Sequence, residues 1–580
     1  MAGKIYPTTV DGNTYYYFKE SHRVKVNDTS VGKKKGSGKS KVKTVSIYLG
    51  TAYDILALKK GKNNTASVTH RSFGVVAAVY QTAKEFGMID ILKKHIKGKR
   101  YDIDRWKYFL ITIINGVDHS CSKNKMKGWL QKTILPDLLE IDIEQFSSKK
   151  FWYVTDDVIS ESLLQEKRKN GEVKDKDVFC GINDKIFQNI EEELFQNISS
   201  KVELSGKALV YDTTNFFTYF EAADRSELSS HGHNKDSHHH LRQISLAMTL
   251  EKTTGLPFFH RVYRGNCHDS KLFSNIIGDL TNTITKTFKD VEELVLLLDK
   301  GNNTKENFAE LNGKIDWIGS LVPSHHDDLL SLPLEEYKEV FENMKVYRTV
   351  KNVMGKDCEV LVTYNPKLAR KQSHTLNRGI DKLEKQLREK IESYKQKPTK
   401  MTTGLKRILK DSRYSKFFSK VKLSKKKGLV IERKIIDLNE IKSLGKNLLF
   451  TSRKNADTNW IIKNYKEKDV VEQGFKTIKD PDLIRIRPLR HWTDTKIRAY
   501  IFCCIMSYVL LKLMNYKMNK AGLQMSLNLL KEELSDLQEI VMIFKDGSAE
   551  RKISDRSSVQ QKIFENFKLG EVEKRTILTQ

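Results

Sequence analysis

The chain has 580 residues, too many for one compact core, and its length fits about three or four domains that need not be contiguous. Lysine and arginine number 102 against 73 acidic residues, a formal charge of +29, which favours a polyanionic partner with nucleic acid as the first candidate. Six cysteines (Cys121, Cys180, Cys267, Cys358, Cys503 and Cys504) without a C-x-x-C pair argue against a disulfide framework or structural zinc, and point to a reducing compartment.

The N-terminus, MAGKIYPTTVDG, lacks the apolar segment of a secretion signal. TYYYFKES (14–21) and KTVSIYLG (43–50) alternate like strands, so residues 1–55 are read as a β-hairpin with the basic tip GKKKGSGKSKVK (32–43). Within that tip GSGKS resembles a phosphate-binding loop, but Lys33 stands where the spacing requires the first glycine, and no ATP site is predicted. Residues 56–200 are expected to be helical. FGVVAAVYQTAKEFGMIDIL and IDRWKYFLITIING space their apolar residues by three and four, and the basic KKHIKGKR (93–100) makes this a candidate DNA-binding region.

From Lys207 the pattern changes to strands separated by helices, the first part of a core (201–325). ALVYDTTNFFTYF (208–220), RQISLAMTL (242–250) and LPFFHRVYRG (256–265) read as strands, DSKLFSNIIGDLTNTI (269–284) as a helix, and ELVLLLDKGN (293–302) as a buried strand. The first and last of these strands are read as finishing on Asp212 and Asp299. A carboxylate closing an apolar strand is costly unless paired, so each either caps a turn or holds a cation. Capping explains either one alone; two together, on neighbouring strands, favour the cation.

Residues 326–446 read as an inserted subdomain, with candidate strands at 337–350 and 358–365, an amphipathic helix through Leu376, Ile380, Leu383 and Leu387, and the basic KVKLSKKKG (420–428). NLLFTS (447–452) resumes the core, which runs over 447–518. In NYKEKDVVEQGFKTIKD (464–480), Tyr465, Lys468, Glu472 and Lys479 fall within an arc of about 60° at about 100° per residue of a single helix. Val471, Phe475 and Ile478 form the apolar stripe beside that arc. An ordinary charged helix surface accounts for the charges but not for the tyrosine. AYIFCCIMSYVLL (499–511) is shorter than the roughly 18–20 residues of a membrane span and reads as a buried helix; 519–580 reads as a C-terminal tail.

Five blocks, LVYDTTNF, GHNKDSHHHLRQISLAM (232–248), GLPFFHRVYRGNCHDSKLF (255–273), LLLDKGN and the 464–480 segment, cover with their surroundings about half the chain. Together they resemble the DDE transposases of bacterial and archaeal insertion sequences, the insertion sequence 4 superfamily. Tyr465, Lys468, Glu472 and Lys479 resemble that family's Y-x2-R-x3-E-x6-K signature, with lysine at 468 replacing the usual arginine and losing its bidentate fork.

The resemblance implies an α/β fold: a ribonuclease H-like mixed-sheet core interrupted by an inserted α+β subdomain and preceded by the hairpin and the helical region. It implies Asp212, Asp299 and Glu472 as catalytic residues and as ligands of two Mg²⁺ ions, with Mn²⁺ as a substitute, about 3.5–4 Å apart. Tyr465, Lys468, Lys479, Thr213, Thr214 and Lys235 become DNA contacts; the histidines of 229–241 become a polar turn, with His238 facing DNA and not a zinc site. The implied activity is cut-and-paste DNA transposition on double-stranded element ends and target DNA, with 56–200 binding the terminal inverted repeats. A homodimer in the synaptic complex and a cytoplasmic, nucleoid-associated location in a prokaryotic host complete the expectation, with no membrane partner. A catalytically inactive or domesticated DNA-binding relative and a stand-alone metal-dependent nuclease are the alternatives.

Overall fold

Alternating and continuous apolar runs after residue 207 assemble into a nine-stranded mixed sheet. The computed structural model describes residues 4–10, 12–25, 40–59, 65–100, 103–158, 170, 185–204, 208–219, 226–232, 240–288, 291–340, 343–393, 398–424, 428–434, 441–545 and 548–578. The sheet's strands, in chain order, are β1 (Ala208–Phe217), β2 (Gln243–Glu251), β3 (Pro257–Arg264), β4 (Val295–Leu297), β5 (Asp316–Ser320), β6 (Lys338–Glu339), β7 (Lys345–Val353), β8 (Lys356–Tyr364) and β9 (Lys446–Thr451). In space they run β6-β7-β8-β9-β5-β4-β1-β2-β3. β1, β2 and β3 form an antiparallel meander, β4 lies parallel to both β1 and β5, and β9 is antiparallel to β5 and β8.

Two expectations change here. β1 does not finish on Asp212 but continues to Phe217, because Thr213 through Phe217 keep pairing with β2. β-Branched threonines suit that half-buried continuation. The interval 326–446 is not one separate subdomain either: β8 pairs with β9 along most of its length, so the β7–β8 hairpin extends the core sheet. Val360, Leu361 and Val362 are fully buried there, and leaving such a strand as a bare edge would expose apolar surface and unpaired backbone. Only the helices Pro366–Ser393 and Pro398–Asp411 and the hairpin of Phe418–Ser424 with Gly428–Arg433 build a module with its own core, around Leu383, Leu387, Leu405 and Phe417.

The described residues group into two units, 79–125 with 145–528, and 1–78 with 126–144 and 529–580. In the larger, helix Asp494–Lys520 is apolar around most of its circumference and needs partners on several sides. Helices Arg105–Asp118 and Lys185–Ser199 supply them: Phe187 stacks on Phe502 at 4.2 Å between centroids, Phe109 meets the same ring at 6.4 Å, and Ser507 Oγ donates to the Ile113 carbonyl at 2.8 Å. These helices, expected within a DNA-binding region of 56–200, thus pack against the core. Helix Asp494–Lys520 is longer than the apolar run that marks it in the sequence and is long and apolar enough to cross a membrane, but 89% of its most apolar stretch is buried inside the protein.

In the smaller unit the N-terminal hairpin gains a strand: Lys4–Val10 pairs with Asn13–Lys25, which pairs with Ser40–Thr51. Most of the basic tip lies outside the described residues. The stretch 519–580 is not a tail. Gln538–Phe544 pairs with Thr65–Ser72 on one side and Ala549–Ile553 on the other, and two helices follow. Arg71 fastens this sheet, donating to Asp137 at 2.7 Å and to the buried Glu539 at 2.5 Å.

Candidate active site

The parallel register of β4 on β1 relates the two aspartates. Val295 lies beside Ala208, Leu296 beside Leu209 and Leu297 beside Val210. The chain stays extended beyond β4, with the Leu298 N–H donating to Ile318 of β5 and Asp299 at φ −86°, ψ 157°. Carried two residues further, the same register sets Asp299 beside Asp212, on strands about 4.8 Å apart. Residues level with each other on neighbouring strands project to the same face, so both carboxylates leave the sheet on one side. The strand expected to finish on Asp299 thus ends at Leu297, and Asp299 instead opens a 3₁₀ turn, Lys300–Asn302, with Asn303 Nδ2 tying that turn to the Ser320 carbonyl at 2.9 Å.

The Asp469–Lys479 helix lies over this face. Val210 and Asp212 stand opposite Leu250 and Met248 of β2, and a Cβ placed on Gly474 would sit 3.0 Å from Leu250 and 3.4 Å from Met248. Glycine lets the helix approach that closely. Further along the same face, Lys479 Nζ lies 5.4 Å from the Phe216 ring centroid. Val471, Phe475 and Ile478 form the buried stripe expected of the helix.

The single helix expected across 464–480 is instead two: Thr458–Lys466 and Asp469–Lys479, joined by a tight turn at Glu467 and Lys468. Lys252, just past β2, clamps the junction by donating to Asn464 Oδ1 at 2.8 Å and Glu467 Oε2 at 2.7 Å. The common arc is therefore broken, but Tyr465 and Lys468 remain joined, since Lys468 Nζ donates to the Tyr465 hydroxyl at 3.1 Å. The same ammonium donates to Asp299 Oδ1 at 2.9 Å. Burial pushes the Asp299 carboxyl up, yet the hydrogen bond and charge of Lys468 outweigh it and hold the carboxyl below the usual aspartate value. Burial likewise works to lower the Lys468 ammonium, but Tyr465 and Asp299 raise it above ordinary lysine.

Glu472 occupies the first turn of its helix, where the helix dipole favours a carboxylate, and its side chain is exposed. Among the described residues, no three His, Cys, Asp or Glu side chains gather closely enough to hold a metal ion. Thr214 shares the Asp212 face and is buried. Thr213, expected beside it as a DNA contact, points to the other face, where it is buried and engages the Tyr263 phenol. A one-residue offset along a strand reverses the face, and the pattern D-T-T hides that. Lys235 and His238 lie outside the described residues.

One feature of the site carried no signal in the sequence. A cleft of about 1170 Å³ opens from Asp299, Tyr465 and Lys468 toward the module of 366–433. Its described lining includes Lys300, Lys371, Arg413, Lys416, Lys442, Lys446 and Lys468 against Asp299 and Asp327. Four of these cations have protein partners: Lys446 Nζ donates to the Leu330 carbonyl at 2.7 Å, Lys442 Nζ to Ser331 Oγ at 2.8 Å, Arg413 to the Tyr414 hydroxyl at 2.7 Å, and Lys468 to Asp299 and Tyr465. The surplus positive charge is drawn from residues spread over 300–468, so no single run of basic residues announces it.

No protein family profile matches the chain, and no curated protein matches it. Among solved structures it is similar to the piggyBac transposase in a cryo-EM structure of its synaptic complex with hairpin DNA, at 10% sequence identity and a TM-score of 0.38, over 81% of this chain and 82% of that one.

Proposed function

We propose that this chain is a DNA transposase of the DDE type, related to the insertion sequence 4 superfamily, which cuts DNA at the ends of its element and joins them to a target. One observation carries the reading. Asp212 lies on β1 and Asp299 two residues beyond the end of the adjacent parallel strand β4, where the register carried forward would set the two level beneath a helix bearing Glu472, which lies 173 positions beyond Asp299. An order of β3-β2-β1-β4-β5, with an antiparallel meander followed by parallel strands, also supports a ribonuclease H-like core.

Hard carboxylate oxygens suit a hard divalent cation, and the Lys468 ammonium already sits on Asp299 as a cationic partner. The three carboxylates do not lie close enough together to share an ion as they stand, so Asp212, Asp299 and Glu472 would hold Mg²⁺, or Mn²⁺ in its place, only once Glu472 closes on the aspartates, and the ion would there supply Lewis-acid activation of the phosphodiester. In the cutting step a water oxygen bonds to phosphorus as the bond to the 3′-oxygen breaks, leaving a 3′-hydroxyl and a 5′-phosphate. In joining, that 3′-hydroxyl bonds to a target phosphorus and displaces the target's own 3′-oxygen. Lys468 and Tyr465, held together beside Asp299, are placed to meet a phosphate oxygen; Lys479, on the same helix, is a backbone contact further along the face. The basic cleft provides room for a strand leaving the carboxylate pair. Inverted repeats at the element ends and a homodimer pairing two ends complete the proposal.

The test is Mg²⁺-dependent nicking and strand transfer on labelled duplexes carrying the DNA that flanks the gene, comparing the parent with Asp212→Asn. The parent should release 3′-hydroxyl ends and join them to a second duplex, and the variant should do neither while still binding DNA. Cutting without joining would make the chain a nuclease. Equal cutting by the variant would remove Asp212 from the reaction.

A further inference from the structure

The loop after the Glu472 helix presents three arginines outward from a braced backbone, and the proposed chemistry leaves it without a role. Along Ile484, Arg485, Ile486, Arg487, Leu489 and Arg490, the aliphatic residues are fully buried, while Arg485 and Arg490 are exposed and Arg487 is half-buried. The backbone is fixed at several points. The Ile486 N–H donates to the Ile478 carbonyl at 3.0 Å, the Arg485 N–H to Asp480 at 2.9 Å, and the Tyr500 hydroxyl to the Arg485 carbonyl at 3.2 Å. Leu489 bridges Thr218, just beyond β1. Aromatic rings brace its far end, where Trp492 stacks on Trp152 at 5.4 Å and His491 on Tyr500 at 4.3 Å.

Arg485 adopts φ +55°, a left-handed conformation that a bulky residue rarely takes without a reason. The guanidinium groups of Arg485 and Arg490 form no ion pair with any described residue. No acid lies between 483 and 493, and the next one, Asp494, accepts from Ser226 Oγ and the amides of Glu227 and Leu228. Guanidinium groups carried on a fixed backbone and left without carboxylates suit phosphate.

The loop runs past the end of β1. Arg487 lies 6.0 Å from the Phe217 ring centroid, and Phe217, an odd five residues along β1 from Asp212, projects to the opposite face of the sheet. We infer that Arg485, Arg487 and Arg490 form a second DNA-binding ridge, which grips the backbone of a duplex segment away from the phosphate held at Asp212. This rests on the transposase reading for its ligand, but not for the existence of the ridge.

The test uses the full chain and a labelled duplex carrying its cleavage site. For Arg485→Ala/Arg490→Ala the slope of log affinity against log salt should become shallower by about 2, because each phosphate contact contributes about 0.9. Hydroxyl-radical protection away from the cut should be lost, while protection at the cut remains. Arg490→Lys should keep most of the slope, which separates charge from folding. An unchanged slope and footprint in the double variant, with a parent that binds and cuts, overturns the ridge and assigns the arginines to another acidic partner. A parent that neither binds nor cuts DNA overturns the transposase reading instead.

Discussion

Among single residues, Glu472 and Lys468 have separable roles. Glu472 is exposed and holds no neighbour in place, so Glu472→Gln should leave thermal stability within about 0.5 kcal/mol of the parent. Nicking should nonetheless collapse, because the substitution removes one negative charge from the proposed metal ligands. Gel-shift affinity should survive, since the lost charge repels phosphate. A variant that cuts at the parent's rate would strip Glu472 of its role. Lys468→Ala should act through Asp299: with the ammonium gone, the carboxyl's pKa should rise, read by carbon NMR of the aspartate side chains. The sign follows from the lowered folded value. The pair's contribution to stability is present above the ordinary aspartate pKa of about 3.9, and it is lost as pH falls through the lower folded value. Parent and variant should therefore differ most near neutral pH and converge in acid. Asp299 is about half exposed, so the difference should be small.

For the elements, the helix that carries Glu472 depends on how closely it can lie on the sheet. Gly474→Val would drive side-chain atoms into Leu250 and the Tyr508 hydroxyl, whose distances from a bare Cβ are already 3.0 and 3.1 Å. Overpacking of this kind costs about 1–3 kcal/mol. Melting should drop accordingly, and nicking should fall more than stability does, because the lifted helix carries Glu472 away from the aspartates. Nicking that falls only in proportion to unfolding would show that the height of the helix does not matter. The module of 366–433 makes the opposite case. Leu387 is fully buried in that module's own cluster, and Leu387→Ala should cost about 2–5 kcal/mol there. Hydrogen exchange should speed up across 366–433 and stay slow in β1, β2 and β4. Equal loosening of those strands would mean the module and sheet unfold together.

Across the whole molecule, the two units impose limits on truncation that the linear order does not suggest. Ending the chain at residue 535 would remove Gln538–Phe544, the partner of Thr65–Ser72, and the Glu539 that pairs with Arg71. The remaining strand keeps its link from Ser72 to residues 132–134 but loses its partner along the rest of its length, and should become a site of rapid proteolysis in the 65–72 region, while the larger unit stays resistant. Protection of 65–72 in the shortened chain would mean that this strand has another partner. Removal of residues 1–150 should be more damaging than an N-terminal deletion usually is, because it takes away the Arg105–Asp118 helix that packs against Asp494–Lys520.

The sequence by itself determined the strands around Asp212 and Asp299, the apolar stripe of the Glu472 helix and the buried nature of 499–511. Each is written in the local spacing of apolar residues, a property of a few consecutive turns or strand residues. Tertiary structure alone decided the face on which Thr213 lies, the break at Glu467 and Lys468, the ion pair from Lys468 to Asp299, the pairing of 65–72 with 538–544, and the basic cleft. Each of these depends on register or packing between segments far apart in the chain, and neither composition nor periodicity encodes which distant partner a strand edge or a charged side chain will meet.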